Sequence, residues 1–219
     1  MIEGATNRDG YLAALRYPAL TPWLDLVIRM LFQEQRAKSR LVEWVALRPG
    51  WRALDVGCGT GTLAVLLKRS EPSAEVIGID GDPTVLGKAR SKAAAANLDV
   101  RFDVGMAQSL PYPDNSFDTV TSTLMLHHLR PADKASAIRE ASRVLRPGGA
   151  YHVLEFTRPH GRLQFALAKV GELLEYTEDG VRGRLPEMFR EASFATVEEG
   201  EVFATPLGTI GLFRSIKPS

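Results

Sequence analysis

Residues 54–61 read LDVGCGTG and place three glycines within five positions, directly after an apolar run that is typical of a buried strand. Glycine weakens regular structure because its backbone loses the most conformational freedom on folding. Three glycines so close together indicate that something approaches this backbone closely, either a ligand or a neighbouring element. A helical pattern follows at 62–70, and the free amides of its first turn suit the binding of a polar group.

Strand-like and helical patterns alternate on both sides of this loop. Strands are predicted at 52–56, 75–80, 100–104, 117–122 and 150–156, and helices at 62–70, 82–97 and 132–145. Asp82 as N-cap, followed by Pro83, marks the start of the second helix. Such alternation favours parallel strands joined by crossover helices, and so predicts an α/β three-layer sandwich.

The two ends of the chain depart from this alternation. Helical spacing is predicted at 22–47, 161–179 and 185–193, and two final strands at 196–204 and 208–218. A turn near Pro206 would join these strands into an antiparallel hairpin at one edge of the sheet. We therefore expect a seven-stranded, mostly parallel sheet in one domain, 48–219, preceded by an N-terminal helical lid, 1–47.

Composition argues against several classes of protein. The chain carries 27 basic and 26 acidic side chains, so its net charge of +1 gives no reason to expect nucleic acid as a partner. The single cysteine, Cys58, excludes an internal disulfide and fits a reducing compartment. The polar start is unlike a signal peptide, and no apolar run reaches the roughly 18–20 residues of a spanning helix. We expect a cytoplasmic protein without stable membrane insertion, and leave a homodimer open.

The spacing of the glycines argues against two kinds of nucleotide site. No Lys follows Gly61, as a phosphate-binding loop requires, and the dinucleotide fingerprint would need glycine where Thr62 stands. Asp80 ends the second predicted strand, where a carboxylate can accept hydrogen bonds from ribose hydroxyls. A nicotinamide-dependent oxidoreductase shares that carboxylate and remains an alternative, disfavoured by Thr62.

Four stretches, in this order, resemble the motifs of the class I S-adenosylmethionine-dependent methyltransferases: LDVGCGTG at 54–61, VIGID at 76–80, SLPYPDNSFDTVTS at 109–122 and LRPGG at 145–149. The segments HHL at 127–129 and GTIGLF at 208–213 are similar to the small-molecule branch around the ubiquinone and menaquinone C-methyltransferases. The resemblance implies a Rossmann-like sheet. It also implies methyl transfer from S-adenosylmethionine to a small, apolar or aromatic acceptor, with S-adenosylhomocysteine as product.

The resemblance also implies roles for individual residues. Asp55 would hold the loop through the cofactor's amino group, and Asp80 would bind the ribose. The loop would admit the methionine portion, and the next turn would flank the adenosine; these positions are Gly57, Cys58, Gly59, Gly61, Gly81 and Asp82.

Position 106 departs from the family's pattern. The family usually has Asp before its Leu-Pro segment, where the carboxylate reaches the adenine amine, but this chain has Met106. Methionine can pack on an adenine face but cannot accept that hydrogen bond, a loss of about 1 kcal/mol. The amide of Ala107 could still serve adenine. The substitution keeps open a non-catalytic cofactor-binding module derived from a methyltransferase.

No catalytic constellation stands out, and methyl transfer from a sulfonium needs alignment more than an acid or a metal. His127 and His128 follow the fourth predicted strand, on the side where the donor sulfur would lie, and are the candidates for a base. The alternative is that they orient the loop. No spacing indicates a metal site. The helical segment 22–47 is predicted to form a lid whose apolar face, with Trp23 and Phe32, closes over the substrate; the alternative is that this segment packs on the sheet as part of the core. Tyr11, Tyr17 and Tyr176 are further candidates for substrate contacts.

Overall fold

The computed structural model describes residues 34–159, 178–205 and 208–219. In chain order its elements are α1 (Glu34–Val45), β1 (Arg52–Val56), α2 (Thr62–Ser70), β2 (Glu75–Asp80), α3 (Pro83–Ala95), β3 (Arg101–Val104), β4 (Phe117–Thr123), a 3₁₀ turn (Leu126–His128), α4 (Pro131–Val144), β5 (Leu145–Thr157), α5 (Glu178–Val181), α6 (Leu185–Glu191), β6 (Thr196–Thr205) and β7 (Gly208–Ile216).

The described strands form one seven-stranded sheet in the order β3-β2-β1-β4-β5-β7-β6. The first five strands are parallel, β7 runs antiparallel to β5, and β6 runs antiparallel to β7. Helices α1, α2 and α3 pack on one face, and α4 and α6 pack on the other. The predicted three-layer sandwich with a C-terminal antiparallel hairpin is confirmed.

The topology creates a crevice beside β1. This strand pairs with β2 on one side and with β4 on the other. From β1 the chain builds outward through β2 to β3, and it then crosses to the other side of β1 to form β4 and β5, so the strand order reverses at β1. In open α/β sheets, ligands bind beyond the carboxyl ends of the strands at such a switch point. The glycine loop follows β1 directly and therefore lies at this place.

Local sequence explains where the helix α3 begins and ends. The Asp82 side chain accepts a 2.7 Å hydrogen bond from the amide of Thr84, and Pro83 occupies the first helical turn, as predicted. After the helix, Asn97 adopts a left-handed conformation with φ 53°, which asparagine tolerates better than most residues. The cap, the proline and the asparagine together confine the helix to one stretch.

The strand β5 begins five residues earlier than its apolar pattern indicates. Phe117 pairs with Leu145, but the next pair is Thr119 with Ala150, so 146–149 form a bulge inside the strand. A Cβ on Gly149 would lie 2.9 Å from the carbonyl oxygens of Arg146 and Asp118, which explains the glycine. The sequence RPGG at 146–149 is typical of a turn, so the sequence did not predict that β5 pairs with β4 on both sides of these residues.

The described part of the N-terminal segment belongs to the core. Helix α1 buries Ala37, Lys38, Leu41 and Val45, and it packs against the face that contains Leu154. Residues 34–45 therefore pack on the core, while the lid predicted over 1–47 stays a prediction. The residues named for the lid and for substrate contact, Trp23, Phe32, Tyr11, Tyr17 and Tyr176, lie outside the described residues. No helix within the described ranges is long and apolar enough to cross a bilayer.

Candidate active site

The three glycines of the loop have different reasons to be glycine. All three have positive φ, 65° at Gly57, 52° at Gly59 and 71° at Gly61, a region that disfavours side chains. A Cβ on Gly57 would overlap Met125, and one on Gly61 would lie 2.8 Å from Ala89. At Gly59 no described atom lies within 4 Å of the added carbon. Gly61 therefore serves the packing of α2 on α3, whereas the space beside Gly59 is open.

The side chain of Cys58 belongs to the core rather than to the loop surface. It is 8% exposed, and burial raises the pKa of its thiol. The amides of Gly57 and Cys58 both donate to the carbonyl of Ile79, at 2.8 and 3.0 Å. The side chain of Cys58 therefore packs in the core, and both its amide and its carbonyl already take part in backbone hydrogen bonds.

Asp80 ties the glycine loop to the next turn. Its Oδ2 accepts a 2.9 Å hydrogen bond from the amide of Gly59, and its Oδ1 accepts one of 3.0 Å from the amide of Asp82. Burial raises the pKa of the Asp80 carboxyl, and these amides act against that rise. The Asp80 carbonyl also accepts from the amide of Gly105 at 3.0 Å, so the segment with Met106 adjoins the same edge.

Asp55 is a buried carboxylate with one oxygen still to be satisfied. It is 1% exposed, and its Oδ1 accepts a 3.0 Å hydrogen bond from the hydroxyl of Thr121. Its Oδ2 has no hydrogen-bond partner among the described residues. Burial raises the pKa of this carboxyl to about 7, while the hydroxyl of Thr121, the ammonium of Lys38 and the nearby backbone amide of Ala64 oppose the rise. A buried acceptor without a hydrogen-bond partner lowers the stability of the fold, because its hydration is lost without compensation. This oxygen is therefore suited to bind a hydrogen-bond donor, and above all a cation.

The two histidines form a 3₁₀ turn just after β4, with ring centroids 4.1 Å apart. His127 is buried, and its Nδ1 lies 2.7 Å from Oε1 of Glu155, a fully buried residue of β5. Met125, the residue directly before this turn, packs against Gly57. The fold therefore brings the histidine turn into contact with the glycine loop, as their positions after β4 and β1 predict.

Sequence reasoning missed three members of this site: Lys38, Thr121 and Glu155. Thr121 and Glu155 lie within strands, and strand patterns draw attention to apolar residues. A signal for Glu155 was nevertheless present, because it is an ionisable residue near the carboxyl end of the apolar strand AYHVLEF. Lys38 stood in a stretch that reads as solvent-exposed charge, yet it is only 9% exposed.

The available groups fit S-adenosylmethionine. The unpartnered oxygen of Asp55 suits an ammonium group, and the open side of Gly59 leaves room for a chain beside it. The carboxylate of Asp80 has further lone pairs for hydroxyl groups, since each oxygen accepts one backbone hydrogen bond. Within residues 34–159, 178–205 and 208–219, no group of three or more His, Cys, Asp or Glu is placed to hold a metal ion.

Comparison with known proteins agrees with this chemistry. A family model for a methyltransferase domain matches residues 53–149. The demethylmenaquinone methyltransferase of Deinococcus radiodurans is 34% identical over 217 residues, covering 88% of this chain and 89% of that protein. The protein of the same name from Thermus thermophilus is 41% identical over 145 residues, which is 65% of each chain.

A solved structure supports the fold alone. The YcgJ protein from Bacillus subtilis superposes with a TM-score of 0.69 at 20% identity, covering 84% of this chain and 99% of that one. The sequence relatives carry the assignment further, because one of them matches nearly the full length of both chains. The chain therefore belongs to the class I methyltransferases that take their methyl group from S-adenosylmethionine.

Proposed function

We propose that this enzyme methylates a ring carbon of a small hydroxylated aromatic acceptor with an apolar tail, such as a reduced naphthoquinone that lacks one methyl group. The observation that carries the proposal is the match to a demethylmenaquinone methyltransferase over 217 residues, which extends well beyond the cofactor motifs. The match includes the chain on both sides of the common domain, where methyltransferases of different acceptors differ.

The cofactor contacts are part of the same proposal. We assign the amino group of S-adenosylmethionine to Asp55 and its ribose hydroxyls to Asp80, because each carboxylate has oxygen lone pairs still available. Gly59 would admit the methionine portion, with Gly57, Cys58 and Gly61 shaping the loop. Adenine would lie between the turn at Gly81 and the segment of Met106 and Ala107. When bound, the cofactor supplies an electrophilic methyl group.

The protein's own contribution is alignment and the exclusion of water. His127 and His128 lie at the carboxyl edge of the sheet, where the acceptor would approach the methyl group. The residues around them are apolar and buried, including Met125, Leu126 and Phe156. An apolar wall favours an acceptor with little charge and keeps bulk water from competing as a nucleophile.

A second candidate is the non-catalytic binding module, which Met106 favours because adenine loses an acceptor there. The two candidates separate in one titration. An active enzyme binds S-adenosylhomocysteine in the micromolar range, whereas the module predicts weak binding that Met106→Asp restores. The cytoplasmic location and the homodimer stay predictions.

The test of the proposed function is an anaerobic assay with radiolabelled S-adenosylmethionine and a prenylated naphthohydroquinone that has one free ring carbon. We expect label in the quinone product, and none with the analogue whose ring carbon already carries methyl. Asp80→Ala, which weakens cofactor binding, is the control for background transfer. Full cofactor binding without transfer to any hydroxylated ring would contradict the proposal.

A further inference from the structure

Two charged residues of α4, Glu140 and Arg143, hold the segment that joins β3 to β4, and this segment adjoins the crevice at Asp80. We propose that they position the turn 106–109 and thereby set the affinity of the site for the base of the cofactor. Neither residue is among the cofactor contacts assigned above, so each acts through the turn. The proposal rests on the proposed function, because it requires the adenine to lie against this turn.

The segment begins beside the residue assigned to the ribose. Val104, at the end of β3, pairs with Asp80, and the amide of Gly105 donates a 3.0 Å hydrogen bond to the carbonyl of Asp80. The turn follows at once, closed by a 3.1 Å hydrogen bond from the amide of Ser109 to the carbonyl of Met106. A base is bonded directly to its ribose, so a ribose held by the Asp80 carboxylate brings the base to this part of the chain.

The end of the turn is fixed by Glu140 and Arg143. The amide of Leu110 donates to Oε2 of Glu140 at 2.7 Å, and the carbonyl of Leu110 accepts from Nη2 of Arg143 at 3.0 Å. Nη1 of Arg143 donates to the carbonyl of Tyr112 at 2.9 Å and to Oδ1 of Asp114 at 2.6 Å. Both backbone groups of Leu110 therefore bind charged side chains of one helix, directly after the turn.

The two charged side chains also bind each other. Nε and Nη2 of Arg143 donate to the two carboxylate oxygens of Glu140, at 2.7 and 2.8 Å. Arg143 lowers the pKa of the Glu140 carboxyl, and the amide of Leu110 acts in the same direction, against the effect of burial. Glu140 is therefore ionised at neutral pH, and its hydrogen bond to Leu110 is of the stronger, charge-assisted kind. The planar guanidinium makes all of these contacts at once, which an ammonium group cannot do.

Core packing alone does not give the segment this direction. The side chain of Leu110 is buried in the core with Phe117 and Val144. Burial of an apolar side chain is non-directional, so it fixes how deep the segment lies but not which way its backbone faces. The hydroxyl of Tyr112 donates to Oδ2 of Asp103 at 2.9 Å and ties the later part of the segment to β3. The contacts of Leu110 with α4 are the ones next to the turn.

The first experiment is calorimetric titration of S-adenosylhomocysteine into Arg143→Met and Arg143→Lys. We expect both variants to raise the dissociation constant about 5- to 20-fold, as residues can that act on a site without touching the ligand. Arg143→Lys keeps the charge but loses the planar fork, so it should restore little of the affinity. A dissociation constant within about twofold of the wild type in both folded variants would overturn the proposal.

Two controls on the same helix separate this effect from those of charge and of stability. Arg139→Met removes an exposed guanidinium whose Nη2 donates to the hydroxyl of Ser136 at 3.0 Å, and should leave the affinity unchanged. Lys134→Met removes a buried ion pair with Asp179 and should lower stability, again with unchanged affinity. A loss of affinity in Lys134→Met as large as that in Arg143→Met would make reduced stability the cause and refute the positioning role.

The second experiment asks whether Arg143 acts through position 106. Met106→Asp supplies an acceptor for the adenine amine, and should tighten the binding of S-adenosylhomocysteine about fivefold in the otherwise wild-type protein. In the Arg143→Lys background the gain should fall below about twofold, because the new carboxylate no longer has a fixed place. An equal gain in both backgrounds would contradict the proposal. No gain in either would show that the base does not meet the turn, which refutes it as well.

A measurement on the wild-type protein avoids the risk that a variant fails to fold. Saturation with S-adenosylhomocysteine should slow hydrogen exchange of the Leu110 amide, because the ligand and Glu140 stabilise the same turn. The amide of Ala74, which donates to the carbonyl of Glu71 before β2, is the reference and should slow less. The proposal is wrong if the ligand slows exchange at Leu110 no more than at Ala74.

These outcomes differ from those that test the proposed function. The binding and exchange experiments need no methyl acceptor, so a protein that behaves as expected in them but methylates no hydroxylated ring would refute the acceptor class alone. In the transfer assay Arg143→Lys should raise KM for S-adenosylmethionine about 5- to 20-fold and change kcat by less than about twofold. A fall of kcat by the same factor at saturating cofactor would place the effect on the reaction instead of on the binding of the base, and would rule out the role proposed for Arg143.

Discussion

Removal of the Asp80 carboxylate should weaken cofactor binding more than it weakens the fold. The carboxylate accepts backbone hydrogen bonds from Gly59 and Asp82, at 2.9 and 3.0 Å, and has further lone pairs directed to the crevice. Hydrogen bonds to a charged group contribute about 1.5–3 kcal/mol each, and two from one ribose do not add fully. We therefore expect Asp80→Ala to raise the dissociation constant of S-adenosylhomocysteine roughly 10- to 150-fold, which corresponds to about 1.5–3 kcal/mol.

The assay is calorimetric titration, and Asp118→Ala is the matched control. Asp118 also accepts a hydrogen bond from a backbone amide of a neighbouring strand, that of Arg52 at 2.7 Å. It lies at the amino ends of the parallel strands, away from the crevice. Both variants lose a carboxylate that holds two parts of the backbone together. Only Asp80→Ala should lose affinity, whereas the stability of the two should fall to a similar extent.

A second ligand separates the ribose contact from the anchoring of the loop. An analogue of S-adenosylhomocysteine without ribose hydroxyls should bind the wild type about as weakly as the normal ligand binds Asp80→Ala. The variant should hardly distinguish the two ligands. If the variant still prefers the hydroxylated ligand by the wild-type ratio, the ribose assignment is wrong and Asp80 acts only on the loop.

Three further predictions concern buried charges. Asp55, with a pKa of about 7, must lose its proton to receive an ammonium, so S-adenosylhomocysteine affinity should rise up to about tenfold per unit as pH rises towards 7. Calorimetry in two buffers should detect the released proton, and Asp55→Asn should abolish the pH dependence. Burial lowers the pKa of His152 to about 3, so stability should decline by about 1.4 kcal/mol per unit as pH falls from 6.5. Denaturant titrations of His152→Gln should lack this contribution; an unchanged slope would contradict it. Lys134→Met leaves the carboxylate of Asp179 with only the exposed guanidinium of Arg184, 3.1 Å away, in place of a buried ammonium; we expect a cost of roughly 3 kcal/mol and a Tm lower by about 6–12 °C. In the same thermal scans Arg40→Met, which removes two exposed ion pairs, with Glu43 and Glu201, should change Tm little.

Most of the architecture follows from local sequence. The apolar strands, the Asp82 cap and the glycine loop each specify their own element, and the alternation of strands and helices leaves few topologies. The boundary of β5 was wrong because its first residue pairs with Phe117 across a bulge, which no local pattern encodes. The cofactor candidate Asp80 could be proposed because it ends strand β2, and Asp55 because the loop that contains it resembles a family motif.

The sequence by itself determined the class of fold, and it located the loop and the carboxyl ends of the strands where we propose that the cofactor binds and the reaction takes place. These depend on short-range signals, such as glycines at positive φ and carboxylates at strand ends. Only the tertiary structure decided that Glu155 holds His127, that Thr121 satisfies one oxygen of Asp55, and that Gly61 serves packing. Glu155 and His127 are 28 residues apart in the chain, and Thr121 and Asp55 are 66 apart, so only the pairing of parallel strands in the sheet brings them together.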